Sequence, residues 1–312
     1  MRHLAIGFNK LYCMSNLLST IARAAGMLKA SGIMIAHHHD NALDEARELV
    51  FHALHLPHDF PANLASAKLL ESEVQCALAL VQRRIDERVP AAYLTGVAHF
   101  AGLAFKTDAR ALVPRSPIAE LIVEGFASWF GDTPPAEILD LCTGSGCIGI
   151  AAAKRFVQSR VILADISLEA LALAEENIAL HAVGSRCRAV QSDLFSALHG
   201  RFDLILSNPP YITDAEYQAM APEYSHEPKL GLTSGKDGLD HPLQILRDAA
   251  DFLTERGLLI LEVGEAERAL RRVLPKLNAR WIEFSVGQMG VMAIGRPGLE
   301  AAKKSLRAIS QG

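Results

Sequence analysis

The sequence predicts an α/β chain in which a doubly wound, parallel-dominated sheet follows a small helical domain. Three observations carry this. Beyond Pro135 short β-like runs alternate with helical ones. The first of those runs ends in a glycine-rich turn, Gly144-Ser145-Gly146, that opens a helix. Up to about Arg88, by contrast, apolar residues recur at helical spacing.

Length and composition fit two domains. The chain has 312 residues, half of them hydrophobic, which exceeds one average domain and is enough for a sizeable core. The formal net charge is −4 with no long run of Lys or Arg, so nothing demands a nucleic-acid partner. Cys13, Cys76, Cys142, Cys147 and Cys187 form an odd set without a Cys-x-x-Cys pair. That argues against a disulfide framework or a structural zinc and for a reducing cytoplasm. Ahead of Asp40, the first acidic residue, stand Arg2, Lys10, Arg23 and Lys29, a pattern also met in organelle transit peptides. Lys10 and Arg23 interrupt the apolar stretches there, so none reaches the roughly 18–20 residues that cross a bilayer.

From Leu11 to about Arg88 the pattern is helical: Ala46, Leu49, Val50, Ala53 and Leu54 share one face, and Val74, Leu78, Val81 and Ile85 another. Pro57 and Pro61 divide this bundle, and Pro90 closes it. The alternating stretch from Tyr93 to Val113 suits a hairpin linker. Residues 1–90 thus read as a helical domain, 91–134 as hairpin linker and connecting helix, and 135–297 as the α/β domain, with the boundary near 110–135. Strands are expected at Ile138–Leu141, Val161–Ala164, Arg188–Gln191, Leu204–Ser207, Leu258–Val263, Trp281–Val286 and Val291–Ile294. The tail, 298–312, with Lys303, Lys304 and Arg307, reads as a solvated or frayed helix.

The turn Gly144-Ser145-Gly146-Cys147-Ile148-Gly149 lets backbone approach a ligand closely and points free N–H groups at it. Alone it is also a dinucleotide fingerprint. Asp165 ends the second strand 19 residues after Gly146, where a carboxylate can accept from both hydroxyls of a ribose. NAD and S-adenosylmethionine satisfy this logic equally. Asp193, in Ser192-Asp193-Leu194-Phe195, is either a ligand contact or a helix N-cap. Cys142 and Cys147 read as small packing residues of a tight turn.

The apolar run Phe202–Ser207 leads into Asn208-Pro209-Pro210-Tyr211. Consecutive prolines fix φ and remove two donors, leaving the Asn208 amide and nearby carbonyls to meet an external N–H. An amine or amide nitrogen fits that turn, and no His or carboxylate adjoins it in sequence. The polar, Gly-rich stretch Ser225–Leu239 follows and reads as a loop that could close over the substrate.

Asn208-Pro209-Pro210-Tyr211 follows Asp140-Leu141-Cys142-Thr143-Gly144-Ser145-Gly146-Cys147 at the spacing of S-adenosylmethionine-dependent amino-group methyltransferases. Over roughly residues 35–295 the chain resembles the protein-glutamine N(5)-methyltransferases, above all the branch acting on large-subunit ribosomal protein three. The resemblance implies a seven-stranded class I methyltransferase (Rossmann-like) sheet ending in an antiparallel hairpin, whose turn here holds Gly287 and Gly290. It also implies S-adenosylmethionine as cofactor and no metal. Asp140, Cys142, Thr143, Gly144, Ser145, Gly146, Asp165, Asp193, Leu194 and Asn208 are the implied cofactor contacts, with Asp140 near the methionine amino group and Asp193 and Leu194 beside adenine. Asn208, Pro209, Pro210 and Tyr211 are the implied catalytic turn, and Glu227 a buried anchor. Arg115 lies either at the cofactor pocket or in an ordinary surface ion pair. The histidines, His37 to His39 together and His52 and His55 on one helical face, suggest partly exposed residues rather than ligands.

Val113-Pro114-Arg115-Ser116-Pro117 and Asp40 to Ala46 carry the ribosomal branch, while His37 to His39 depart from its usual Gly-containing form. The release-factor branch more often has Pro-Glu-Thr after that arginine. The expected reaction places Asn208 Oδ1 and the Pro209 carbonyl on the two hydrogens of a glutamine amide, turning its nitrogen to the sulfonium methyl. Tyr211 walls the pocket. The helical domain is the expected docking surface for a protein substrate met in the cytoplasm. Alternatives that stay open are release-factor methylation, methylation of an amino group on a nucleic-acid base, and a non-enzymatic ribosome-assembly factor. An NAD dehydrogenase would leave Asn208 to Tyr211 without a role.

Overall fold

The computed structural model describes residues 15–35, 41–284 and 290–309. Expectations for Arg2, Lys10, Cys13, His37, His38, His39, Asp40 and Gly287 fall outside them. The chain forms two compact units, Met1–Thr95 and Gly96–Gly312.

In the first unit, helix α1 (Leu17–Ser31) starts at Asn16, whose side chain accepts from Ser19 N at 2.8 Å while Ser19 Oγ accepts from Asn16 N at 3.0 Å. This capping box satisfies amides that the first turn leaves orphaned. Asn41 caps α2 (Ala42–Ala53) by accepting from Leu43 N and Asp44 N. Helices α3 (Glu71–Glu87) and the short α4 (Ala91–Thr95) complete the unit. Leu17, Ile21, Ala24 and Leu28 pack with Ala46, Leu49, Val50, Ala77 and Val81 in one apolar cluster. Inside it Arg84 Nε donates to Glu45 Oε1 at 2.8 Å, and Arg84 Nη2 donates to the Met34 carbonyl at 2.7 Å. Breaking such a buried pair by truncating one partner costs about 3–5 kcal/mol. His52 and His55 do not share a helical face: the helix ends at Ala53, and His55 has φ +55°.

The second unit opens with a hairpin, β1 (Val97–Phe100) and β2 (Leu103–Lys106), paired from Val97↔Lys106 to Phe100↔Leu103. Helices α5 (Ile118–Glu124) and α6 (Ala127–Phe130) follow. The alternating region comprises β3 (Glu137–Leu141), α7 (Cys147–Arg155), β4 (Arg160–Asp165), α8 (Leu168–Leu180), β5 (Cys187–Gln191) and β6 (Phe202–Ser207). It continues through α9 (Asp214–Ala219), α10 (Asp240–Phe252), β7 (Leu253–Glu262), α11 (Glu267–Val273), β8 (Arg280–Trp281), β9 (Val291–Gly295) and α12 (Arg296–Ile309).

The seven-stranded sheet runs β5-β4-β3-β6-β7-β9-β8, parallel except for β9. Strand residues alternate between two cores: Ile138, Leu204, Leu206, Leu258 and Ile260 enter one, and Leu139, Leu141, Ile205, Leu259 and Leu261 the other. Both faces are therefore buried, which explains the near-continuous apolar strands. Helices α5, α7 and α8 cover the first face, and α10, α11 and α12 the second. The strand order reverses between β3 and β6, so a crevice opens beyond their carboxyl ends, where such sheets hold ligands.

Three further expectations need correction. The division between units falls at Thr95/Gly96 rather than near 110–135, because hairpin and linker pack on the α/β unit: Phe100 and Phe105 lie in its core. The tail is a docked helix, since Leu299, Ala302, Leu306 and Ile309 line one face of α12 and join the second core. The strand expected at Trp281–Val286 ends at Trp281 within the described residues.

Candidate active site

A cavity of about 550 Å³ occupies that crevice. It lies within the range of small-molecule and cofactor sites. One wall is the turn after β3. Cys142 (φ +61°), Gly144 and Gly146 take left-handed backbone there, and Thr143 N donates to the Ala164 carbonyl at 3.0 Å. Asp140 lies beneath, fully buried, and Oδ2 accepts from Thr143 Oγ1 and from Gly149 N at 2.8 Å. A Cβ on Gly149 would stand 2.2 Å from Leu163 and 2.8 Å from Asp140, so only glycine lets α7 come this close. Burial pushes the Asp140 carboxyl up to about 7, against the two bonds that favour its charge. Its Oδ1 is buried and has no hydrogen-bond partner among the described residues.

Asp165, at the end of β4, accepts from Gly144 N with Oδ2 and from Ser167 N with Oδ1, each at 2.9 Å. Burial raises this carboxyl too. Asp193 and Leu194 line the same cavity beyond β5. Asp193 caps no helix, since turns follow it, and Ser192 Oγ ties them by accepting from Ala197 N at 3.1 Å. The Asp193 carboxylate makes no hydrogen bond to a described residue, and Leu194 holds φ +44°. Two separated acidic positions in the lining, Asp165 and Asp193, with backbone amides at a helix start and an apolar wall suit a nucleoside bearing an amino-acid tail, as S-adenosylmethionine does.

Of the implied cofactor residues, Cys142, Thr143, Gly144, Ser145, Asp165, Asp193, Leu194 and Asn208 line the cavity. Asp140 and Gly146 do not; both lie behind the loop and shape it. Cys142 and Cys147 behave as packing residues: burial raises both thiols, Cys147 to about 12, so neither is a thiolate near neutrality. Among the described residues no group of His, Cys, Asp and Glu could hold a metal.

The opposite wall is the turn after β6. Asn208, Pro209, Pro210 and Tyr211 all face the cavity, and the Asn208 carboxamide bonds to no described residue. Ser207 Oγ ties the strand end to the Leu141 carbonyl at 2.8 Å. Tyr211 both walls the cavity and packs: its ring lies so close to Gly264 (φ +45°) that a Cβ there would stand 2.5 Å away. Its hydroxyl donates to Glu262 Oε1 at 3.0 Å, and Ser116 Oγ donates to Glu262 Oε2 at 2.6 Å. Burial holds the Tyr211 phenol well above its ordinary range and pushes the Glu262 carboxyl up to about 7. A carboxylate therefore does adjoin the acceptor turn. It comes from the end of the neighbouring strand, so no sequence window around Asn208 contains it.

Arg115 also faces the cavity. It pairs with the buried Glu227 at 2.8 Å and stacks over Tyr224, 5.6 Å from the ring centre, so it is not an ordinary surface ion pair. The Ser225–Leu239 stretch is likewise not an open lid. Ile212 N donates to the Leu232 carbonyl and Ser234 N to the Ile212 carbonyl, both at 2.9 Å, and Leu232, Ser234 and Leu239 are buried. Sequence reasoning missed Glu262, His241 and Asn177. His241 lines the cavity beside Ser234, with 2.8 Å between Nδ1 and Oγ. Asn177, fully buried on α8, accepts from Lys106 N and donates to the Lys106 and Ser145 carbonyls, joining hairpin to cofactor loop. An Asn inside the apolar face of a helix was the one available signal.

Residues 120–224 match the family model described as Methyltransferase small domain. The chain is 54% identical over 280 residues to the ribosomal protein uL3 glutamine methyltransferase of Xanthomonas campestris pv. campestris, covering 89% of this chain and 90% of that one. It is 53% identical to the protein of that name from Xylella fastidiosa, covering 89% of each. The Francisella tularensis protein of the same name is 42% identical, covering 86% of each.

Proposed function

The chain belongs to the family of ribosomal protein uL3 glutamine methyltransferases, and on that premise we propose that it transfers a methyl group from S-adenosylmethionine to the side-chain amide nitrogen of a glutamine in ribosomal protein uL3. The observation that carries this reading is one cavity lined by Asp165 and Asp193 on one side and by Asn208 to Tyr211 on the other.

S-adenosylmethionine supplies an electrophilic methyl on a sulfonium. Asp165 binds the ribose hydroxyls, Asp193 accepts from the adenine amine, Leu194 packs the ring, and the Thr143–Ser145 backbone meets the methionine end. An amide nitrogen is a weak nucleophile because its lone pair is delocalised into the carbonyl. Asn208 Oδ1 and the Pro209 carbonyl accept its two hydrogens, which fixes the nitrogen in line with the methyl and favours the positive charge that develops on it. The unpartnered Asn208 carboxamide, held between a strand end and two prolines, supports this role.

The helical unit is the surface that docks the protein substrate, and the cytoplasm is where the two meet. Deleting residues 1–95 should leave S-adenosylmethionine binding intact and remove protein methylation; methylation at full rate would reject the docking role. The reaction itself is tested with isotopically labelled S-adenosylmethionine offered with uL3, a peptide release factor or duplex DNA, the label being located by mass spectrometry. Label on a uL3 glutamine alone is expected. Label on the release factor would change the substrate, and label on DNA would replace the reading.

A further inference from the structure

Glu262 stands beside the acceptor turn by strand register. Ser207 of β6 pairs with Leu261 of β7, so Asn208 and Glu262 each lie one residue further along neighbouring strands. The residue is 5% exposed, faces the cavity, and makes no ion pair among the described residues. Its two carboxylate oxygens are met only by hydroxyls, Tyr211 at 3.0 Å and Ser116 at 2.6 Å. As a purely structural group this is a poor choice. Burying a carboxylate against neutral donors sacrifices its hydration, and a glutamine of the same length would hold both hydroxyls without that penalty. A carboxyl group at this position is explained by chemistry that needs a base.

The transfer proposed above creates that need. An amide nitrogen that has gained a methyl is cationic and strongly acidic, and it still carries both of its protons, one of which must leave. We propose that Glu262 accepts this proton through the Tyr211 hydroxyl, which makes it the base of the reaction. The nitrogen lone pair forms the N–CH3 bond while the S–CH3 bond breaks, its electron pair staying on sulfur to leave a neutral thioether. One N–H hydrogen stays hydrogen-bonded to Asn208 Oδ1, and the other leaves the Pro209 carbonyl for the Tyr211 oxygen as the Tyr211 hydroxyl proton passes to Glu262 Oε1. The products are a neutral N-methyl amide and a carboxylic acid, which returns its proton to water after the methylated chain leaves the cavity. Before transfer, the same negative charge opposes the positive charge building on nitrogen.

The other charged or titratable groups facing this carboxyl are Arg115, which is paired with Glu227, then Tyr211 and Tyr224, and Glu265 three residues on. Burial lifts Glu262 to about 7, with Ser116, Tyr211 and Arg115 opposing. The carboxylate form is therefore gained as pH rises from about 6 to 8. Asp140 reaches a similar value but lies behind the cofactor loop, so its titration reports on cofactor binding, not on turnover at saturation.

The proposal rests on the glutamine-methylating reading. Its test compares full-length wild type, Glu262→Gln, Glu262→Asp and Tyr211→Phe, measuring kcat on uL3 from pH 6 to 9 at saturating S-adenosylmethionine, and cofactor affinity by calorimetry. Wild-type kcat should climb about tenfold per pH unit below about 7 and then flatten. Glu262→Gln should lower kcat at pH 8 on the order of 10²-fold, remove the climb, leave cofactor affinity unchanged and not lower the melting temperature. Tyr211→Phe should give the same flat profile, while Glu262→Asp should restore the climb at reduced rate. Glu262→Gln that turns over within about threefold of wild type, or keeps the climb, would overturn the proposal while leaving the reaction standing. Wild-type protein that methylates no glutamine would remove both.

Discussion

The two sides of the cavity are built in different ways. The cofactor side is made by short-range structure: Asp140, Thr143 and Gly149 bond within nine residues of one another, and Asp165, at the end of the next strand, reaches Gly144 in the turn. The acceptor side is made by side chains meeting across long stretches of chain: Ser116 with Glu262, Arg115 with Glu227, Tyr211 with Glu262. A site assembled from local backbone tolerates changes that keep the turn, whereas one assembled from distant side chains can be dismantled one group at a time. Binding and chemistry should accordingly be separable by mutation.

The largest separation is expected from Asn208→Ala. It should lose on the order of 10²-fold or more in kcat while calorimetry finds S-adenosylmethionine affinity unchanged; a matching loss of affinity would show that the two sides act as one. Asp165→Ala should do the reverse, weakening cofactor affinity about 10–100-fold, since the two backbone bonds that shape the loop and the proposed ribose contact to a charged group go together. Saturating cofactor should then recover most of kcat. A finer comparison uses two glycines. Gly264→Ala drives a methyl into the Tyr211 ring and should cut kcat about tenfold with binding intact. Gly149→Ala, with a Cβ 2.2 Å from Leu163, should instead lower the melting temperature. Because Gly264 holds φ +45°, its alanine variant will also melt earlier, so kcat decides: wild-type kcat in Gly264→Ala would make Tyr211 a packing residue.

The smallest effect is on stability with pH. Asp140 and Glu262 are both raised to about 7, and Asp165 is raised as well, so the folded state holds protons that the unfolded chain has released. Their contribution is complete below the unfolded values near 4 and is lost as pH rises through about 7. Asp108 and Glu176, which arginine and lysine partners hold below the ordinary range, are already ionised there and do not mask it. Melting temperature should fall from pH 6.5 to 8, above the range in which His181 and His241, both lowered by burial, add stability as pH rises, and less steeply in Glu262→Gln; a rise would mean these carboxyls are ionised throughout.

The sheet was legible because both its faces are buried, which writes apolar runs of strand length between helical repeats. The cofactor loop was legible because backbone that approaches a ligand needs glycine at fixed spacing. Glu262 was not, because a lone acid at the end of Leu258-Leu259-Ile260-Leu261 looks like the edge of a strand until the neighbouring strand brings Tyr211 to it. Arg115 and Glu227 were each singled out but could not be joined, since 112 residues separate them. The docking of α12 is masked in the sequence because four basic residues, Arg296, Lys303, Lys304 and Arg307, outnumber the two leucines that dock it, and only the spacing of the apolar residues reveals the face.

The Ser225–Leu239 segment is stitched to Ile212 by backbone bonds on both sides, and Asp214 N adds a third to the Gly235 carbonyl at 3.0 Å. A mouth with a fixed rim makes the geometry of the incoming chain the gatekeeper. A glutamine can enter only on a stretch of partner that projects far enough to present its whole side chain, so selection falls on local protrusion before any neighbouring residue is read. Stopped-flow association should then rise linearly with substrate concentration; a plateau would reveal that the rim opens first.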